Sequence, residues 1–106
     1  MSFMTFVSMV PLGKSESVSR HVAKVVDTID KSGLAYVVTP MGTVVEGETW
    51  DEVMDVLKRG FERMREECSR ISVSIKVDHR EGKPGRMGTK IKSLEEKLGK
   101  DLSKST

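Results

Sequence analysis

A chain of 106 residues, 37% apolar and 32% charged, has the size and polarity of one soluble globular domain and no signature of disorder. Its net charge of +2 is too small to argue for nucleic acid, and a lone cysteine, Cys68, excludes an intrachain disulfide. With only His21 and His79 beside that cysteine, no Cys/His metal site is expected, and Cys68 reads as a small apolar residue on a helix.

The apolar start, MSFMTFVSMV, is far shorter than the roughly 18 residues of a membrane span. It has no basic lead segment and no small-residue cleavage site after it, so it reads as a strand and the expected location is cytoplasmic. Residues 3–10 form that strand, punctuated by Pro11-Leu12-Gly13. Val18, Val22, Val25, Val26 and Ile29 then recur on one helical face, with Ser15 or Ser17 as N-cap and Gly33 just past the end. Leu34–Thr39 and Thr43–Gly47 are β-branched runs around Pro40-Met41-Gly42, a hairpin with a three-residue loop in which Gly42 takes the position needing a positive φ.

Thr49 and Glu52 form a capping box. Trp50, Val53, Leu57, Phe61, Met64 and Cys68 follow at helical spacing. Arg70–Asp78 alternates, with Ile71, Val73, Ile75 and Val77 on one face and Ser72, Ser74 and Lys76 on the other. After His79 the segment REGKPGRMGTK, residues 80–90, is loop-like, and 90–98 form a short helix through Ile91, Leu94 and Leu98. Residues 1–79 hold 10 Lys/Arg against 12 Asp/Glu, and residues 80–106 hold 8 against 4. The division expected is therefore a core over 1–79, then a basic loop, short helix and flexible tail over 80–106 in the same domain. Such a tail can meet nucleic acid or anionic lipid, but is more often a solvated end.

The order β-α-β-β-α-β, with right-handed crossovers, predicts an α+β ferredoxin-like sandwich: an antiparallel sheet in the order 4-1-3-2, two helices on one face, and a short C-terminal helix. Alternation then assigns faces. A carboxylate is costly in a core, so Val45 and Thr43 go to the helices, while Val44 and Glu46 go to the open face. The same parity sends Phe6, Ser8, Val10, Val37, Thr39, Ser72, Ser74 and Lys76 outward. About half of that face is apolar, which predicts packing against a second copy, with or without a small pocket whose polar groups are Glu46, Ser8, Thr39 and the serines. Parity also places Glu46 near Ser8 if strands 1 and 3 are neighbours.

The segments VPLG (Val10 to Gly13), SGLAYVVTPMGTVVEG (Ser32 to Gly47), SVSIKVDHR (Ser72 to Arg80) and KIKSLEEKL resemble the thiamine-binding protein family over nearly the whole chain. That resemblance implies the same fold and homodimers or homotetramers assembled through the open sheet faces. It also implies binding of thiamine, or its hydroxymethylpyrimidine part, without catalysis and without a further cofactor. The motif positions are Val10, Pro11, Gly13, Thr39, Pro40, Met41, Gly42, Thr43, Glu46 and Gly47. The ligand-binding residues expected from parity and resemblance together are Ser8, Val10, Thr39, Met41, Gly42, Thr43, Glu46, Ser72 and Ser74. An aminopyrimidine offers a ring-nitrogen acceptor beside an amine donor, which a glutamic acid, a carboxylate or Ser/Thr hydroxyls can meet. The polar end GKDLSKST departs from the family pattern.

Other classes fit less well. An RNA-recognition module needs aromatics on the open faces of strands 1 and 3, where only Phe6 qualifies and Glu46 would repel phosphate, so no nucleic-acid or membrane partner is expected. No nucleophile–base or His–carboxylate pair stands at the motif positions, and His21 and His79 read as surface residues, so no catalytic residue is expected. A metal chaperone would want C-x-x-C where this chain has PLGKSES, and GKPGRMGTK fails the phosphate-loop spacing. A structural homo-oligomer without ligand is the remaining alternative.

Overall fold

The computed structural model describes residues 2–13, 18–82, 92 and 94–99. Strand β1 (Ser2–Pro11) is followed by helix α1 (Val18–Lys31), the hairpin β2 (Ala35–Thr39) and β3 (Gly42–Gly47), helix α2 (Trp50–Arg65) and strand β4 (Ile71–Arg80). The strands pair antiparallel in the order β2-β3-β1-β4, which is the predicted 4-1-3-2 order read from the other edge. Residues 92 and 94–98 are helical, as the short C-terminal helix requires. The expected caps Ser15 and Ser17, and Ile91, lie outside the described residues.

Both helices cover one face because both carry one apolar stripe. Val25 and Ile29 from α1, and Val53, Val56, Leu57 and Met64 from α2, close over Val7, Met9 and Val45 of the sheet. The capping box forms as read: the Thr49 hydroxyl accepts from Glu52 N–H at 3.1 Å, and the Glu52 carboxylate accepts from Thr49 N–H at 3.1 Å. Gly33 closes α1 at φ 81°, a conformation that glycine adopts without steric cost.

Several local expectations change. Helix α2 stops at Arg65, so Cys68 sits beyond it, buried, with its N–H bonded to Met64 O at 3.1 Å. Trp50 is half exposed because it occupies the first helical position at the rim, where its ring meets Phe3 edge-on at 6.2 Å. His79 is exposed and lies on Phe3 at 4.5 Å, but His21 is buried rather than at the surface. The first turn of α1 presses it toward the segment after α2, where its Nδ1 lies 3.6 Å from Glu67 Oε2 without a hydrogen bond. Val73 and Ile75 do face the helix side, yet stay exposed because β4 ends the described sheet and α2 reaches only its inner margin.

The hairpin loop is Pro40-Met41, two residues rather than three, since Thr39 already pairs with Gly42. Gly42 has the positive φ expected of it, 159°, at the extended edge of that range. A Cβ there would lie 2.6 Å from Phe6 Cζ and 2.7 Å from the Val7 carbonyl oxygen. Glycine is required because β3 enters the sheet hard against β1.

Candidate ligand-binding cleft

Strand β1 has ten residues and β3 has six. Their ladder runs from Phe3↔Gly47 to Val7↔Thr43 and ends there, while β1 continues beside β4 as far as Pro11↔Ile71. The overhang leaves a gap between the hairpin tip and α1. It is a cleft of about 210 Å³, with β1 from Val7 to Val10 at its base, Val38 to Thr43 on one wall, and Val18, Val22, Val25 and Val26 on the other. Its described lining contains no charged side chain.

The hairpin wall is held by Thr39. Its hydroxyl accepts from Met41 N–H and Gly42 N–H, each at 3.2 Å, and donates to the Gly42 carbonyl at 2.7 Å. That geometry is a side-chain-closed turn, and it commits the Thr39 hydroxyl to the backbone. Met41 at the tip is 80% exposed, and Val10, Leu12, Val18 and Val38 around the mouth are also exposed. This end of the molecule therefore presents an apolar rim.

Of the nine expected ligand-binding residues, the cleft brings together Ser8, Val10, Thr39, Met41, Gly42 and Thr43. Glu46, Ser72 and Ser74 do not line it. Ser72 and Ser74 stand opposite Val10 and Ser8 on β4. Glu46 is opposite Met4, two same-face steps from Ser8, so the Glu46–Ser8 pairing does not form. Parity put Glu46 on the correct face, but register moved it along the strand. Its hydroxyl partner is Ser2, donating to Oε2 at 2.6 Å, and the two residues are 8% and 1% exposed within a single chain. The face opposite the helices is thus already shielded in that row. The lining residues missed by sequence reasoning are the α1 valines, which read as core stripe, and Val7, Met9, Val38 and Pro40. For α1 the signal was the unusual run of four valines at its start, all facing one way.

Charge lies elsewhere. A broader depression of about 380 Å³ between α1 and α2 is lined by Thr28, Lys31, Arg59, Glu62, Arg63 and Glu66. Its three cations are paired: Arg63 with Asp27 at 2.8 Å, Lys31 with Asp27 at 3.1 Å, and Arg59 with Asp55 at 3.1 Å. The Arg63 hydrogen bond, then that from Lys31, holds the Asp27 carboxyl below its ordinary value. Glu67 is likewise lowered, first by its hydrogen bond from Lys24. These are solvated helix-surface networks, chemically distinct from the apolar cleft. Among the described residues no group of three or more His, Cys, Asp or Glu side chains could hold a metal, and no helix is long and apolar enough to cross a membrane.

The family model described as thiamine-binding protein matches residues 5–95, which contain every strand from Thr5 onward and both helices. The chain belongs to the thiamine-binding protein family. Among curated relatives, a UPF0045 protein of Mycobacterium bovis is 38% identical over 98 residues, covering 92% of this chain and 96% of the relative. The crystal structure of the hypothetical protein MJ1052 from Methanocaldococcus jannaschii matches with a TM-score of 0.80 and 33% identity, over 90% of this chain and 97% of that one. A candidate thiamine biosynthesis/salvage protein from Thermotoga maritima shares the fold at a TM-score of 0.72 and 22% identity, over 93% and 97% of the two chains. The thiamine-binding family thus supplies fold and class.

Proposed function

We propose that this protein is a non-catalytic small-molecule binder whose ligand is thiamine or a related hydroxymethylpyrimidine, held in the cleft between the Thr39–Thr43 hairpin and the start of α1. The observation that carries this reading is the overhang of β1, which assembles six of the nine expected residues around one apolar gap. Apolar walls with a few fixed polar groups are the usual composition of such sites. The volume is below the roughly 300–1,000 Å³ of pockets for drug-sized ligands, which suits one ring of a two-ring molecule. Copies associate through the sheet face opposite the helices, where Phe6, Val37 and Val44 lie in one row with Lys76.

Calorimetry with thiamine and with hydroxymethylpyrimidine tests the ligand. Binding by wild type and its loss in Val18→Trp, which fills the cleft mouth, are expected. Heat from neither ligand sinks the reading, and undiminished binding by Val18→Trp moves the site away from the cleft. Light scattering tests assembly: a monomer at high concentration refutes pairing through the sheet.

A further inference from the structure

Beside its side chains, the cleft is faced by the backbone polar groups of β1, which forms its base from Val7 to Val10. In an antiparallel strand the N–H and C=O of one residue point to the same side, and successive residues alternate. Three observations set the phase in β1. Leu12 N–H bonds the Arg70 carbonyl at 2.9 Å, so even-numbered residues face β4. The Val7 carbonyl oxygen lies against Gly42, so odd-numbered residues face β3. Pro11, which has no N–H to give, occupies an odd position within the strand.

Met9 is odd-numbered and lies past the last β3 pair. Its N–H and C=O therefore point into the gap that β3 has vacated. The residue that continued pairing would bring opposite Met9 is Met41, and Met41 N–H is bonded to the Thr39 hydroxyl instead. No hydrogen bond joins Met9 to Met41. Met9 is 5% exposed, and among the described residues no hydrogen bond outside the strand ladders reaches its backbone, an arrangement that is costly for a buried N–H.

We propose that the Met9 backbone reads the ligand: its N–H donates to a ring nitrogen, and its C=O accepts from an adjacent exocyclic amine. The two groups of one extended residue form a donor beside an acceptor, which complements the acceptor-beside-donor edge of a neutral aminopyrimidine. The ligand class is a flat, uncharged heteroaromatic ring carrying an amine next to a ring nitrogen. The ring enters as an added pairing partner for β1, in the place a longer β3 would have taken, with the valines of α1 against its face. Thr39 is a positioning residue, because its hydroxyl keeps Met41 N–H away from the Met9 carbonyl. This rests on the cleft being the ligand site.

The test uses the full ¹⁵N-labelled chain with three probes: hydroxymethylpyrimidine, thiamine, and the pyrimidine lacking its 4-amino group. The Met9 amide resonance should shift with the first two probes, and the desamino ring should bind at least tenfold more weakly. Thr39→Val should keep the fold, protect the Met9 amide from exchange and lose affinity, with Thr39→Ser restoring it. Binding of hydroxymethylpyrimidine with an unmoved Met9 amide, or equal affinity for the desamino ring, overturns the Met9 assignment and leaves the function reading standing. Absence of binding by every pyrimidine overturns both.

Discussion

At the Gly47 end of the sheet, Ser2 donates to a buried Glu46, Phe3 sits between Trp50 and His79, and Gly47 leaves no room for a Cβ beside Val53. At the Gly42 end, β1 outruns β3, the walls are valine and methionine, and the one hydroxyl fully used serves the hairpin itself. The same sheet is closed and internally bonded at one end, and open and apolar at the other. Strand length makes the difference: the ladder is complete where β1 and β3 are both present, and polar backbone is left over where only β1 continues. The proposed binding site is a place where pairing stops early.

The sharpest way to break that contrast is Gly47→Val. Its Cβ would lie 2.6 Å from Val53 Cγ2, and overpacking of this kind costs about 3 kcal/mol, read as a lower urea midpoint. Ser2→Ala at the same end removes a buried hydrogen bond to a carboxylate and should cost about 2 kcal/mol in the same assay. Gly13→Ala, beside the open end, meets nothing within 4 Å and should cost only about 1 kcal/mol, entirely from its φ of 76°. Val18→Trp at the cleft mouth should change stability by less than about 0.5 kcal/mol while abolishing binding, which separates the site from the scaffold.

Acid sharpens the comparison from a third direction, because the shifted carboxyls belong to neither end. Asp27 and Glu67 have ordinary values of 3.8 and 4.5, and both are lowered in the folded chain. The folded state therefore holds these protons more weakly than the unfolded one. Their stabilisation is present above those ordinary values and is lost as pH falls through the lowered ones. Glu67→Gln should flatten the thermal-stability profile below about pH 4.5 and leave ligand binding at neutral pH unchanged.

Much of the fold could be read from local pattern. The Thr49–Glu52 box, the valine stripe of α1 and the alternation of Ile71–Val77 each report a conformation set by neighbours a few residues away. Parity was readable for the same reason, and it put Glu46 on the face away from the helices. The expected nearness of Glu46 to Ser8 did not hold, because Glu46 lies opposite Met4. Glu46 and Ser8 share a face, but sharing a face says nothing about which row each occupies. His21 shows the same limit: its helix was legible, but the segment after α2 that buries it is 46 residues away along the chain.

The sequence by itself determined the elements, their order, the fold class and the family, because these follow from short-range periodicity and from motifs. Only the tertiary structure decided where β3 stops against β1. That depends on a register between segments some 35 residues apart and on the close approach of Gly42 to Phe6 and Val7. The cleft, the unpaired edge at Met9 and the distance of Glu46 from both follow from that one register.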